Sequence, residues 1–559
     1  MRLDYLKIDR FKNLNGFEAN FDETCEEPVT VILGRNGSGK SNLIEALVII
    51  FRDLNKGKGT TDFGYDLRYT LHGGAVAVRI LNPPASQGST ENTSTRKPFT
   101  DRGEKPIEGF SFIVSENGKE IVIARKEIRR FLPRYVVTYY SGVSNRLEHH
   151  FFQPQLEFRD ELLNGNVIPL RPLFYAKPIH SHFALLAFFM AEDAEISEFL
   201  SKYPWIEELE SALFVLKRPH WAKGKKQRKD GDPRFWYAGG VVSDFLSCLY
   251  DCALAPLRLP GRIQHSFDEV ENTEFLYLYL PDLERLRKLA RESVATMQRK
   301  RPAKGVEKEA FKAAEFFKLL ESTFMSDLIH ETRIRVKVRH AGALTFRELS
   351  EGEQQLLTVV GMLRFTRDED SLFLLDEPDT HLNPAWGMEY LNILRDHADT
   401  GMNSHVLVAT HDPLVLSNLR RNQVLILERS EETGCVASSE PEADPVGMGV
   451  PGILRNMFGL RSAVGTETQG KLDRHAELFV LGKQRTPRQE NEFRRLSKEL
   501  DKAGFGREFR DPDYASFLRA MARRPEFRKP LLTSEELKKQ ETVADEILED
   551  ILAKEQKQK

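Results

Sequence analysis

The run Gly34-Arg35-Asn36-Gly37-Ser38-Gly39-Lys40-Ser41 sets three glycines, a lysine and a hydroxyl at spacings that suit one task, the holding of a phosphate chain. Glycines let successive backbone N–H groups turn inward around phosphate oxygens. The residues before them, VTVILG, read as a β-strand, and SNLIEALVIIFRDL after them has helical spacing. A helix N-terminus would therefore add its partial positive charge to the same place. Strand, glycine loop and helix in direct succession are the context that makes this pattern a P-loop. Lys40 would reach the β- and γ-phosphates of ATP, and the Ser41 hydroxyl would ligate Mg²⁺. The nucleotide is expected along Gly34, Asn36, Gly37, Ser38, Gly39, Lys40, Ser41 and Asn42.

Two further clusters are read with it. The apolar run Leu372–Leu375 delivers Asp376 and Glu377. Asp376 would hold Mg²⁺ through water, and Glu377 would orient or deprotonate the attacking water. Alone such a run is weak, because many strands end in acids; beside a P-loop it gains a meaning. The stretch Leu349-Ser350-Glu351-Gly352-Glu353-Gln354-Gln355 starts a helix. Ser350 and the Gly352 backbone could offer donors to an anion there, while Ser350 and Glu353 also have the spacing of a capping box. Both readings stay open.

LSEGEQQ resembles the signature of ABC-type ATPases, in the form seen in SMC-like members. PDTHLNP resembles their D-loop, with Asp379 and the Asn383-Pro384 turn, and His411 after HVLVAT resembles their switch histidine. The order of these motifs is similar to that of the ABC/SMC-like AAA family ATPases. The resemblance covers residues 1–60 and 333–430. It implies a homodimer or higher homo-oligomer with head-to-tail subunits sandwiching two ATPs. Ser350, with Gly352 and Glu353, would meet the γ-phosphate bound by the other subunit, and Asp379 would line the nucleotide. Glu377 and His411 would be the catalytic pair, and Ser41 and Asp376 the Mg²⁺ pair. Arg10-Phe11-Lys12-Asn13 resembles the segment that flanks the nucleotide. Two departures stand out. No long heptad run lies between Ser41 and Ser350, and His180 and His182 stand where a Q-loop glutamine is sought. The whole layout, with YYSG and the segment 171–189, resembles the ATPase of Septu-type anti-phage systems, also found with some retrons. That resemblance implies a separate HNH nuclease partner.

The elements needed to position these residues set the fold class: α/β, an ABC-type P-loop head with mixed sheet, an inserted helical segment and a helical C-terminal region. The expected division is 1–190 and 333–440 for the two lobes of the head, 191–332 for a mixed or helical insertion, and 441–559 for helices that could dock a partner. A hairpin is expected across 110–127, turning at Asn117-Gly118. Residues 85–106 read as a loop, and 282–321 as charged helix broken at Pro302 and Gly305.

Composition bounds the rest. With 559 residues, 40% hydrophobic and 30% charged, the chain is globular and too long for one ordinary core. A net charge of −3 gives no global field for nucleic acid, so a contact would be local. The basic stretch 217–234 is its candidate, although a solvated loop is the plainer reading. Four cysteines fit a reducing compartment, with Cys248 and Cys252 read as two buried thiols. No signal-peptide core or membrane-length apolar run is seen, so the chain is placed in the cytoplasm, off the membrane. Two other functions are weighed: a RecF-like repair ATPase binding DNA directly, and an ATPase with a built-in nuclease. The second would use Glu428, Asp511 and Asp513, but Asp513 fits a helix N-cap better.

Overall fold

A computed structural model describes the chain except residues 22–26, 58–60, 84–109, 117, 164–170, 224–230, 265, 267–268, 301–311, 367–368, 399–403, 461–463, 504–516, 518–519, 522–523, 525, 527–532 and 557–559. The loop at 85–106, the turn residue Asn117, the helix breakers Pro302 and Gly305, and Asp511 and Asp513 thus lie outside the described residues or almost wholly so. The chain divides into two units, one of Met1–Asp412 with Leu427–Ser439 and one of Pro413–Ile426 with Glu440–Lys559.

The first unit opens with strands β1 (Arg2–Phe11), β2 (Leu14–Asn20) and β3 (Val29–Leu33), then helix α1 (Lys40–Asn55). Next come β4 (Tyr65–Leu71), β5 (Val76–Asn82), β6 (Ser111–Glu116), β7 (Lys119–Val122) and β8 (Tyr135–Tyr140). Helix α2 (Phe152–Leu163), β9 (Leu173–Tyr175), α3 (Ile179–Phe188) and α4 (Ala194–Lys202) follow. Then run β10 (Ile206–Lys217), α5 (Gly240–Cys252), β11 (Leu257–Gln264), β12 (Val270–Leu280), α6 (Leu283–Lys300) and α7 (Ala313–Met325). The head closes with β13 (Ile329–Val338), β14 (Gly342–Thr345), α8 (Glu351–Thr366), β15 (Ser371–Asp376), α9 (Pro384–His397), β16 (Ser404–Thr410), β17 (Val424–Arg429) and β18 (Val436–Ser439).

Three sheets result. The one that matters for chemistry has the order β18-β17-β3-β16-β15-β8-β9. Every residue of β15 and β16 is buried, as expected of parallel strands covered on both faces. Their apolar runs are what the sequence shows at SLFLLD and SHVLVAT. Registers align the strand ends: Leu33 pairs with Thr410, and Asp376 pairs with both Ala409 and Tyr140. Loops leaving β3, β16, β15 and β8 therefore emerge side by side at the carboxyl edge, where ligands of such sheets bind.

An antiparallel sheet of order β2-β1-β4-β5-β6-β7 forms the second layer. The expected hairpin is its β6–β7 edge, with Gly118 at φ 75° in the turn. The third sheet, β11-β12-β10-β13-β14, is also antiparallel. In β13 the buried Thr332, Ile334, Val336 and Val338 alternate with exposed Arg333, Arg335 and Lys337, the pattern of a strand with one wet face. Strand β10, from the segment expected as an insertion, thus pairs with β13, which itself runs across residue 333. On α5, Cys252 is buried but Cys248 is only half-buried, a departure from the expected pair of buried thiols. Burial raises the pKa of both thiols.

The second unit is largely helical. Helix Thr466–Leu481 packs on Pro487–Lys502 through Leu478, Leu496 and Leu500, with His475 stacked on Phe493 at 4.6 Å between ring centroids. A capping box of Thr486 and Gln489 starts the second of these helices. Helix Ser534–Gln556 leaves Leu548 exposed. Among the described residues, no helix is long and apolar enough to cross a membrane.

Candidate functional site

The site is built from the loop after β3. Gly37 and Gly39 take φ of 81° and 100°, a conformation that costs glycine least. Gly39 precedes α1 with no side-chain cap, which leaves the first N–H groups of the helix facing the loop. At Gly34 a Cβ would lie 2.3 Å from Ser38 Oγ and 2.7 Å from the Leu427 carbonyl oxygen, so the loop closes tightly there. Asn36 and Gly37 are exposed at the loop tip, while Ser38 and Lys40 are buried. The Ser38 hydroxyl is buried without a partner among the described residues. Lys40 turns back on the loop, its Nζ donating to the Gly34 carbonyl at 2.7 Å. Burial lowers the Lys40 pKa, and the carboxylates of Glu377, Asp376 and Asp379 oppose that shift.

Those carboxylates come from the end of β15. Asp376 is fully buried, and neither of its oxygens has a geometric hydrogen-bond partner among the described residues. Burial pushes its pKa up to about 6; the Ser41 side chain facing it is the largest opposing influence. A buried, unpartnered carboxylate beside a hydroxyl is a donor set that fits a hard divalent cation such as Mg²⁺. Glu377 departs from the strand with φ 53°, a sparsely populated conformation for glutamate, and its N–H donates to the Ala409 carbonyl at 2.8 Å. This swing brings the Glu377 carboxylate to the His411 ring, with Nδ1 and Oε1 3.1 Å apart. Asp379 is buried too, accepts from the Thr410 hydroxyl at 2.6 Å, and is pushed up to about 6 by burial.

The structure therefore gathers Lys40, Ser41, Asp376, Glu377, Asp379 and His411 at one sheet edge. Ser350, Gly352 and Glu353 sit elsewhere on the chain. They form the start of α8, where the Ser350 N–H and hydroxyl both donate to Glu353, each at 2.7 Å. The capping-box reading is thus realised. Gly352 lies against the turn after Glu377: a Cβ there would be 2.5 Å from the His381 carbonyl oxygen. Gly352→Ala is accordingly expected to cost about 1–3 kcal/mol by overpacking, seen as a lower melting temperature. An unchanged melt would mean that the turn yields freely. Asn383 caps α9 by accepting from the Trp386 N–H at 3.0 Å.

Several neighbours were not legible beforehand. Strand β8, not β9, lies beside β15, and Ser141 after it donates its N–H to the Asp376 carbonyl at 3.3 Å. The position next to the site is therefore Ser141. His180 is instead buried among phenylalanines and bound to Glu321 at 2.8 Å, and His182 packs on Phe346. Asn13 bridges the loop, donating to the Gly37 carbonyl at 3.2 Å and accepting from Asn42 at 2.6 Å. Glu45, buried on α1, pairs with Lys12, with Arg146 at 2.7 Å and with His150 at 3.3 Å. Burial alone would raise the Glu45 pKa, but the hydrogen bonds from His150, Lys12 and Arg146 outweigh it and bring the pKa to about 2. A lowered carboxyl pKa stabilises the fold above the unfolded value and loses that contribution as pH falls from about 4.5 towards 2. Glu45→Gln is expected to flatten the acid limb of a melting-temperature profile over that window. An acid limb as steep as before would deny Glu45 this part.

The described part of the basic stretch 217–234 is occupied by the chain itself. Lys217 pairs with Asp327 at 2.7 Å, Trp221 Nε1 donates to the Ser326 carbonyl at 2.8 Å, and Arg234 pairs with Asp232 at 2.8 Å. Lys225, Lys226, Arg228 and Lys229 lie outside the described residues.

Residues 1–218 match the family described as "AAA ATPase domain", and residues 156–417 match "AAA domain, putative AbiEii toxin, Type IV TA system". The first span holds the P-loop and the second holds Asp376, Glu377, Asp379 and His411, which the fold places together. Residues 1–417 thus carry AAA/ABC-like ATPase domains. This ATPase is similar to Septu protein PtuA of Bacillus mycoides (strain KBAB4), 26% identical over 197 residues, 33% of this chain and 27% of the relative. It is also similar to Protein ea59 of Escherichia phage lambda, 29% identical over 110 residues, 20% of each chain. The matched stretches thus span about a quarter of these relatives' own lengths.

Proposed function

We propose that this chain binds ATP with Mg²⁺, hydrolyses it slowly in a head-to-tail dimer, and uses the cycle to control a separate HNH-type nuclease in anti-phage defence. What carries the ATP reading is the buried Asp376 carboxylate, unpartnered among the described residues, facing Ser41 at the mouth of the P-loop. Mg²⁺ bound by Ser41 and Asp376 would neutralise phosphate charge. Lys40, freed from the Gly34 carbonyl, binds the terminal phosphates. Glu377 takes the proton of the attacking water, and His411, already bonded to Glu377, orients that carboxylate. Ser350 acts in trans on the γ-phosphate held by the other subunit. The defence role and the nuclease partner are supported by the similarity to the Septu protein and by the motif order.

Mixing separates the parts of this reading. A Lys40→Ala chain and a Ser350→Arg chain are each expected to be inactive alone. Their heterodimer keeps one intact composite site, so some ATPase activity returns on mixing. Heterodimers that form without any return of activity would deny Ser350 its role in trans. Co-expression with an HNH nuclease encoded beside this gene should give a co-purifying complex; failure of the two to associate at any nucleotide state would remove the partner from the proposal.

A further inference from the structure

Arg146 lies on the loop that leaves β8, between two anchors. At the start of that loop the Ser141 N–H is bound to the Asp376 carbonyl, and the Ser141 hydroxyl meets the Thr380 hydroxyl at 3.1 Å. At Arg146, a single nitrogen, Nη2, makes both of the residue's bonds: to Asn42 Oδ1 at 2.6 Å and to Glu45 Oε2 at 2.7 Å. Asn42 follows Ser41 directly. The other guanidinium donors, Nε and Nη1, bond to none of the described residues, and a third of the side chain is exposed. Glu45, by contrast, is almost wholly buried and is held by Lys12 and His150 as well, so it is a fixed post.

A guanidinium pinned at one corner, with its remaining N–H groups uncommitted, presents a fork suited to phosphate oxygens. We propose that Arg146 contacts the terminal phosphate of ATP in cis, as a second cation beside Lys40. The inference rests on the ATP reading given above. The plainer role, a clasp that fastens the loop to α1 through Glu45, uses the same bonds but makes no distinction between nucleotides. A contact to the terminal phosphate does.

The test compares a non-hydrolysable ATP analogue with ADP, both with Mg²⁺, binding to the full chain by calorimetry, with melting temperature followed in parallel. Arg146→Ala is expected to weaken the triphosphate by about tenfold or more while leaving ADP nearly unchanged. Arg146→Gln removes the charge yet keeps donors for Asn42 and Glu45, and the same selective loss is expected from it. An unchanged ratio of the two affinities, or a parallel fall in both that follows the melting temperature, overturns the inference. If the alanine variant does not fold, the glutamine variant decides by the same ratio. Lys40→Ala, run beside them, keeps the two failures apart. Wild-type chain that is folded but binds neither nucleotide sinks the ATP reading, and this inference with it. Wild type that binds both, a Lys40→Ala chain that binds neither and an Arg146→Ala chain with the wild-type ratio sink the inference alone.

Discussion

A Lys40→Ala chain is expected to lose ATP binding by at least about 100-fold, since a charged hydrogen-bonding partner of phosphate is worth roughly 1.5–3 kcal/mol and Lys40 would serve two phosphates. Its fold should survive. The ammonium is buried, among the described residues it bonds to the Gly34 carbonyl, and burial already lowers its pKa. Removing it deletes a desolvated charge rather than a packed core side chain. Calorimetric titration with ATP and Mg²⁺, beside a thermal melt, checks both halves. ATP binding at wild-type strength by a folded Lys40→Ala chain would remove the P-loop from the account.

Glu377→Gln should do the opposite: retain ATP and slow its turnover by about 10²–10⁴, the range for loss of a general base. Glutamine has the same shape, so the backbone at φ 53° and the contact to His411 remain available. What disappears is a carboxylate able to take a proton from water. Phosphate release measured at saturating ATP reads the effect. Turnover equal to wild type would assign the base elsewhere in the site, and weakened binding would make Glu377 a ground-state contact.

The P-loop could be read from the sequence because its demands are local. Backbone turned to positive φ at Gly37 and Gly39 requires glycine, and the flanking strand and helix lie within a few residues. Asp376 was legible for a similar reason, since a wholly buried parallel strand must be apolar until it reaches the sheet edge. Glu45 and Arg146 were not. They are 101 positions apart, and only the fold makes them partners, although an acid inside the apolar helix run LIEALVII was a sign of something paired. Sheet order was hidden for the same reason. YVVTYY and PLFY are equally strand-like, and nothing local shows that the first lies beside Asp376 while the second is the edge. In the segment 191–332, strands β10 to β12 were hidden by the charged helices around them, and β13, the partner of β10, straddles its end.

Strand β16 stands between β3 and β15. Neighbouring strands are about 4.8 Å apart, so the strand that feeds the glycine loop and the strand that carries the acids are held about 10 Å apart. Backbone hydrogen bonds set that interval, and no change of side chain resets it. It works as a fixed gauge, a slot cut to one width into which the glycine loop leans from one side and the acids from the other. Loops beyond the slot are free to change in sequence and length. The gauge itself is inherited with the sheet, so such change leaves the measured length of a phosphate chain untouched.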